Sequence, residues 1–270
     1  MGPESTWIPP WIAPLARTTE TAGRTLFLSD LHWGAGPEGT RRLHDMLRLL
    51  ENLPGHIDDL VLGGDIFEFW WEWKHAVCGG HWPFLLAVRK AAEAGVRVRF
   101  IAGNHDFAMG AALAEICSAR VHPDGYCLTI GSCRWLLVHG DAAPPSERFD
   151  RVVRRILRSR WARFGWNLLP PDLALPLALG VGAGSRAIEA GPAASTAEME
   201  PAARGWMREL GLGGVVHGHT HRPLLTRGPE GIYVNNGDWV LQRSAVWISP
   251  HQPARLVDCT KEGFPWLSNT

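Results

Sequence analysis

The sequence predicts an α/β fold. Three observations carry that expectation. Short β-prone runs alternate with segments whose apolar residues recur at helical spacing. Five of those runs end directly in a polar or metal-ligand-type residue, and chemistry in α/β sheets collects at the carboxyl ends of strands. Of 270 residues, 46% are hydrophobic and 20% charged, enough for a sizeable core.

The elements follow in order. Residues 1–23 hold four prolines and two tryptophans without periodicity, and read as an extended N-terminal arm docked by Trp7 and Trp11. The main domain spans 24–270. Residues 25–29 (TLFLS) form a first strand. Leu43, Met46, Leu47 and Leu50 fall on one face of a helix. Residues 60–62 make a second strand. Pro83 opens a helix that Gly95 stops. Residues 96–102, 134–138 and 215–217 give strands three to five. From residue 232 the chain reads as β, with strands near 232–234, 245–248 and 256–258.

Residues 142–209 interrupt this alternation as a helical cap insertion. Phe149, Val152, Val153, Ile156, Leu157, Trp161 and Phe164 lie at helical spacing, with arginines on the other faces. Ser195 and Glu198 have capping-box spacing before a helix that runs to Leu210 with a disturbance at Pro201. Trp70, Trp71 and Trp73 read as packing residues.

Composition excludes several classes. Lys+Arg and Asp+Glu are both 27, so a strongly basic nucleic-acid binder is disfavoured and no nucleic-acid partner is expected. The five cysteines form no CxxC pair, which points to a reducing cytoplasm and free thiols, although Cys127 and Cys133 have hairpin spacing. No secretory leader and no membrane-spanning apolar run is evident. Twelve histidines against five cysteines favour a nitrogen and oxygen metal site over a thiolate one.

Five blocks carry the chemistry: Asp30-Leu31-His32, Gly63-Gly64-Asp65, Gly103-Asn104-His105-Asp106, His139-Gly140-Asp141 and His217-Gly218-His219-Thr220-His221. Strand alternation would put Asp30 and His32 on one side, and likewise His219 and His221. A carboxylate following glycine at a strand end can use both oxygens, and so bridge two cations. The donor set suits Mn²⁺, Fe²⁺ or Zn²⁺ better than Ca²⁺ or Mg²⁺.

Taken together, the blocks resemble the signature of the calcineurin-like metallophosphoesterases: D-x-H, G-D, G-N-H, H and G-H-x-H in this order. The resemblance covers roughly residues 25–240. It implies a four-layer α/β/β/α sandwich and two divalent metal ions, Mn²⁺ before Fe²⁺ or Zn²⁺. One would be held by Asp30, His32, Asp65 and His221, and the other by Asp65, Asn104, His139 and His219. Two such cations clamp a phosphate and activate a water for in-line attack. His105 would then protonate the leaving oxygen. Glu68 stands where the superfamily commonly has the carboxylate that orients this histidine, and Asp106 reads as a brace of its loop.

The chain is similar, more narrowly, to the UDP-2,3-diacylglucosamine hydrolases of lipid A biosynthesis. The shared runs are residues 64–70 (GDIFEFW), His139-Gly140-Asp141 ahead of a helical insertion, residues 217–223 (HGHTHRP) and residues 233–239 (YVNNGDW). That resemblance implies cleavage of the substrate pyrophosphate at the α-phosphate, giving UMP and a lipid sugar phosphate. His105 departs from well-known members, which carry Arg there. Arg148 and Arg186 in the cap, with His217, are the expected substrate contacts. The expected partners are a nucleotide-linked lipid sugar and the anionic inner-membrane surface. The alternatives are a phosphoesterase for soluble nucleotides, such as dinucleoside polyphosphates, and a non-catalytic scaffold on the same fold.

Overall fold

The computed structural model describes residues 8–17, 20–34, 39–73, 76–106, 108–141, 159–174, 176–177, 194–261, 264 and 266–267. In chain order the elements are α1 (Ile12–Leu15), β1 (Thr21–Ala22), β2 (Thr25–Leu28), α2 (Gly39–Asn52), β3 (Asp59–Gly63), α3 (Trp82–Glu93) and β4 (Arg97–Ile101). They continue with α4 (Ala111–Cys117), β5 (Arg120–His122), β6 (Tyr126–Ile130), β7 (Cys133–Leu137), α5 (Arg160–Asn167) and α6 (Ala194–Leu210). The C-terminal part holds β8 (Gly214–His217), β9 (Leu224–Gly228), β10 (Gly231–Asn235), β11 (Ser244–Ile248) and β12 (Arg255–Asp258).

Two six-stranded mixed sheets result. The first has the order β12-β11-β2-β3-β4-β5, with β2 to β5 parallel. The second has the order β1-β6-β7-β8-β10-β9, with β7, β8 and β10 parallel. Period-two alternation divides each strand between two cores. In β2, Leu26 and Leu28 join Met46, Leu50, Phe84 and Val88 of α2 and α3, while Phe27 joins Val61, Tyr126, Leu137 and Val216 between the sheets. Behind the second sheet, Leu136, Val215 and Tyr233 meet Met199, Ala203, Trp206 and Met207, one face of α6. The order is helix, sheet, sheet, helix: the α/β/β/α sandwich.

Four local outcomes refine the sequence reading. Within the stretch expected to be an extended arm, Ile12–Leu15 forms a helical turn with Ile12 fully buried, and Thr21–Ala22 pairs with β6. Cys127 and Cys133 lie on opposite arms of the β6–β7 hairpin, but Cys127 faces Leu136 and Cys133 faces Ile130, and neither is in a disulfide. Helix α6 continues through Pro201. Most of the arginine-bearing cap segment, including Arg148 and Arg186, lies outside the described residues; its described part begins at Ser159 and leads into α5. No helix among the described residues is long and apolar enough to cross a membrane.

Candidate metal centre

Strands β2, β3 and β4 of one sheet and β7 and β8 of the other point their carboxyl ends at a common region. The segments just beyond them supply Asp30 and His32, Asp65, Asn104 and His105, His139, and His219 and His221. Ligand atoms of Asp30, His32 and His221 lie within 4.8 Å of one another; so do those of Asp65, His139 and His219, and those of His32, Glu68 and His105. Asn104 Oδ1 is 3.2 Å from His139 Nε2, which is also 3.2 Å from Asp65 Oδ2.

Strand alternation does not bring these side chains together. β2 ends at Leu28 and β8 at His217. Asp30, His32, Asp65, His219 and His221 all have positive φ, between 45° and 67°. For non-glycine residues this left-handed backbone costs roughly 1 kcal/mol or more each, and such strain gathers at functional sites. The chain thus turns at each strand end, and the turn aims the donor. Glycines permit the crowding: a Cβ on Gly103 would overlap Asp65 Oδ1, and one on Gly218 would overlap Asp30 Oδ2 and Ser29 Oγ.

Several donors are held from behind. His139 Nδ1 lies 3.0 Å from the Gly63 carbonyl, so Nδ1–H donates there and Nε2 is the nitrogen turned toward Asp65 and Asn104. His32 Nδ1 donates to Glu68 Oε2 at 3.1 Å, while His32 Nε2 is buried without a protein hydrogen-bond partner. Asp30 accepts from the Ser29 hydroxyl and the His219 amide. Asp65 Oδ1 accepts the His105 amide at 2.9 Å, leaving Oδ2 toward His139. Asp106 is fully buried and gathers the amides of Gly103, Asp65, Ile66 and Phe67, bracing the loops after β3 and β4.

The charges show what the site calls for. For Asp65, burial pushes the carboxyl up, but His139 and His105 outweigh this and hold it well below the ordinary range. Asp30 likewise falls to about 2, with burial opposed by its contact with His221. Reciprocally, burial would lower His221, yet Asp30 raises it to about 9, and Asp65 raises buried His139 well above its ordinary value. The field of the two carboxylates asks for positive charge, which protons on imidazoles meet when no cation is bound. A divalent cation answers the same demand, and the unsatisfied His32 Nε2 is a ready ligand.

Two expectations change. His217, expected as a substrate contact, is turned into the protein interior. It is fully buried, with Nδ1 on the Gly218 carbonyl at 2.8 Å and Nε2 on the Tyr233 hydroxyl at 2.7 Å, and burial lowers its pKa to about 3. It tethers the ligand loop to β10. Glu68, expected beside His105, is nearer His32: its Oε1 is 3.9 Å from His105 Nδ1, which instead lies 3.2 Å from the Glu68 carbonyl oxygen. Asp238, in the 233–239 run, makes a turn by accepting the Leu241 and Gln242 amides, and its Oδ2 lies 3.7 Å behind His221 Nδ1.

Known proteins are similar to this chain over most of its length. The family profile of calcineurin-like phosphoesterases matches residues 23–223. The UDP-2,3-diacylglucosamine hydrolase of Ralstonia nicotianae is 30% identical over 243 residues, covering 85% of this chain and 89% of that one. The protein of the same name from Chromohalobacter salexigens is 31% identical, covering 86% and 96%, and that of Shewanella loihica is 30% identical, covering 84% and 93%. With its ligand loops at the carboxyl ends of two facing sheets, this chain belongs to the calcineurin-like phosphoesterase family and is a metal-dependent hydrolase.

Proposed function

We propose that this protein hydrolyses the pyrophosphate of UDP-2,3-diacylglucosamine at the α-phosphate, releasing UMP and 2,3-diacylglucosamine 1-phosphate. The observation that carries this reading is the pair of ligand clusters around Asp30 and Asp65, set in a chain that matches hydrolases of that name over 84–86% of its length.

The residues fit two divalent cations, Mn²⁺ first among Mn²⁺, Fe²⁺ and Zn²⁺. Asp30, His32, Asp65 and His221 would hold one, and Asp65, Asn104, His139 and His219 the other. Bound there, the pair supplies Lewis acidity to a phosphate and lowers the pKa of a water. The chain does the rest. Asp65 Oδ2 and the Nε2 atoms of His32 and His139 are the donors fixed from behind. His105 sits 4.8 Å from His32, ring to ring, and its Nε2 is the atom that hands a proton to the leaving oxygen. Asn104, His219 and His221 are partly exposed, so the phosphate enters on their side. Arg148 and Arg186 are the proposed phosphate contacts from the cap.

The cap supports a lipidic substrate. Trp161, Phe164, Leu168, Leu173 and Leu177 expose between 58% and 84% of their surface, and large apolar side chains left exposed along one segment support an interaction site there. Acyl chains or the cytoplasmic face of the inner membrane would fit there, which supports the reading of a peripheral membrane enzyme of the cytoplasm. Protein loaded with Mn²⁺ and incubated with UDP-2,3-diacylglucosamine tests the reading. UMP release supports it; no release, with turnover of dinucleoside polyphosphates instead, overturns it.

A further inference from the structure

We infer that Trp71 and Asn167 form a latch that seats helix α5 on the loop carrying Glu68, and so fixes the position and rotation of α5 relative to that loop. The inference rests on the proposed reading in one respect: a substrate must span the metal centre and the cap for the latch to matter in turnover.

The loop after β3 is a rigid seat. At its start, the amides of Asp65 and Ile66 are held by Asp106. At its end, the Glu72 carboxylate accepts the amides of Gly110, Ala112 and Leu113 at 2.7–3.2 Å, which ties it to the first turn of α4. Between these anchors, Phe69 and Trp71 are buried and form a small aromatic core with Trp73 and Ala108. Trp166 of α5 packs into this core, its ring 5.7 Å from Phe69 and 5.8 Å from Trp71. The Trp71 indole N–H then donates to Asn167 Oδ1 at 2.8 Å, across 96 positions of sequence.

The two contacts do different work. Ring packing holds α5 down but is tolerant of sliding and of rotation about the helix axis. A hydrogen bond at 2.8 Å is directional and stops both. The seat residues neighbour the chemistry: Phe69 follows Glu68, and Ala108 stands three positions after His105. Any shift of α5 is therefore a shift relative to Glu68 and His105. Misplacement of bound groups by about 1 Å can cost roughly 100-fold in rate. Trp71 and Asn167 are positioning residues on this argument; neither needs to touch the reacting atoms.

Three variants test it in full-length, Mn²⁺-loaded protein: Trp71→Phe keeps the ring and removes the donor, Asn167→Leu removes the acceptor, and Asn167→Asp keeps one. Two readouts are needed. The first is amide hydrogen exchange over residues 159–174, where Trp71→Phe and Asn167→Leu should accelerate exchange by about three- to tenfold, the loss of one net hydrogen bond, while Asn167→Asp should not. The second is turnover. Those two variants should lose about tenfold in kcat/KM on UDP-2,3-diacylglucosamine and under twofold on bis(4-nitrophenyl) phosphate, a probe without the uridine, sugar and acyl groups, with Asn167→Asp near wild type. Unchanged exchange, or equal losses on both substrates, overturns the latch. If wild-type protein leaves UDP-2,3-diacylglucosamine intact, the functional reading fails and the exchange result alone decides the latch.

Discussion

Glu68 Oε2 lies 3.1 Å from His32 Nδ1, inside a region where both side chains are almost completely buried. The pairing leaves His32 with one tautomer and one outward-facing nitrogen. Backing carboxylates of this kind typically contribute 10- to 100-fold to metal affinity. Glu68→Ala should therefore weaken Mn²⁺ binding by roughly that factor in calorimetric titration, and Glu68→Gln by less, because its amide oxygen can still accept from Nδ1. Equal affinity in wild type and Glu68→Ala would assign Glu68 to His105 after all.

Asp65 is the carboxylate common to the two proposed cation sites. Asp65→Ala should lower kcat by at least about 10³-fold, several kcal/mol of barrier, and abolish tight metal binding. Circular dichroism should stay native, since Asp106 still braces the loop amides. A variant that binds two Mn²⁺ ions normally would rule out the bridging role.

Gly103→Ala separates crowding from chemistry. Its new methyl overlaps Asp65 rather than open space, so the Asp65 side chain or the loop must move. Metal affinity should fall together with thermal stability, whereas Gly79→Ala, which meets nothing within 4 Å, should leave both unchanged. Differential scanning fluorimetry with and without Mn²⁺ reads the two effects side by side.

His81 gives a pH signature away from the metal ligands. It is packed against Phe67 and Trp70, and burial lowers its pKa from 6.5 to about 4. Between those values the unfolded chain binds a proton that the folded one refuses, so stability rises with pH from about 4 to 6.5 and is lost on acidification through that window. The full contribution is up to about 3 kcal/mol. Urea unfolding at pH 7 and pH 4.5 should show a smaller acid loss in His81→Leu than in wild type; parallel losses would dismiss the idea.

The exposed cap face predicts lipid binding. Trp161 is 84% exposed, so Trp161→Ser should leave urea stability unchanged within about 0.5 kcal/mol. It should nevertheless reduce sedimentation with phosphatidylglycerol-containing vesicles by about tenfold, the burial of a large apolar side chain. Unaltered sedimentation would leave this face to the acyl chains of the substrate.

The legibility of the sequence varied with the range of the interaction. Strands such as β3 and β8 were readable because their fully buried apolar runs stop abruptly at Gly-Asp or His-Gly. Helix α3 was readable from Pro83 and Gly95, which punctuate its ends. By contrast α4 is a seven-residue helix, β5 has one exposed and two half-buried residues and β9 is only partly buried, so none carries a clear period. The donor residues were identifiable from their spacing, but the left-handed turns that aim them were not, because they depend on neighbours from both sheets. His217 shows the limit best. Its block contains three imidazoles of identical chemistry, and only the distant Tyr233 hydroxyl distinguishes the tether from the other two.

The division of donors between the two sheets sets a timetable during synthesis. Asp30 leaves the ribosome early, whereas His221 follows about 190 residues later, roughly ten to forty seconds at ordinary rates of translation. Until then the nascent chain holds an acidic half-site without its closing imidazoles. Metal capture is therefore a late event, and an ion that binds well does so only to a chain whose second sheet has already arrived.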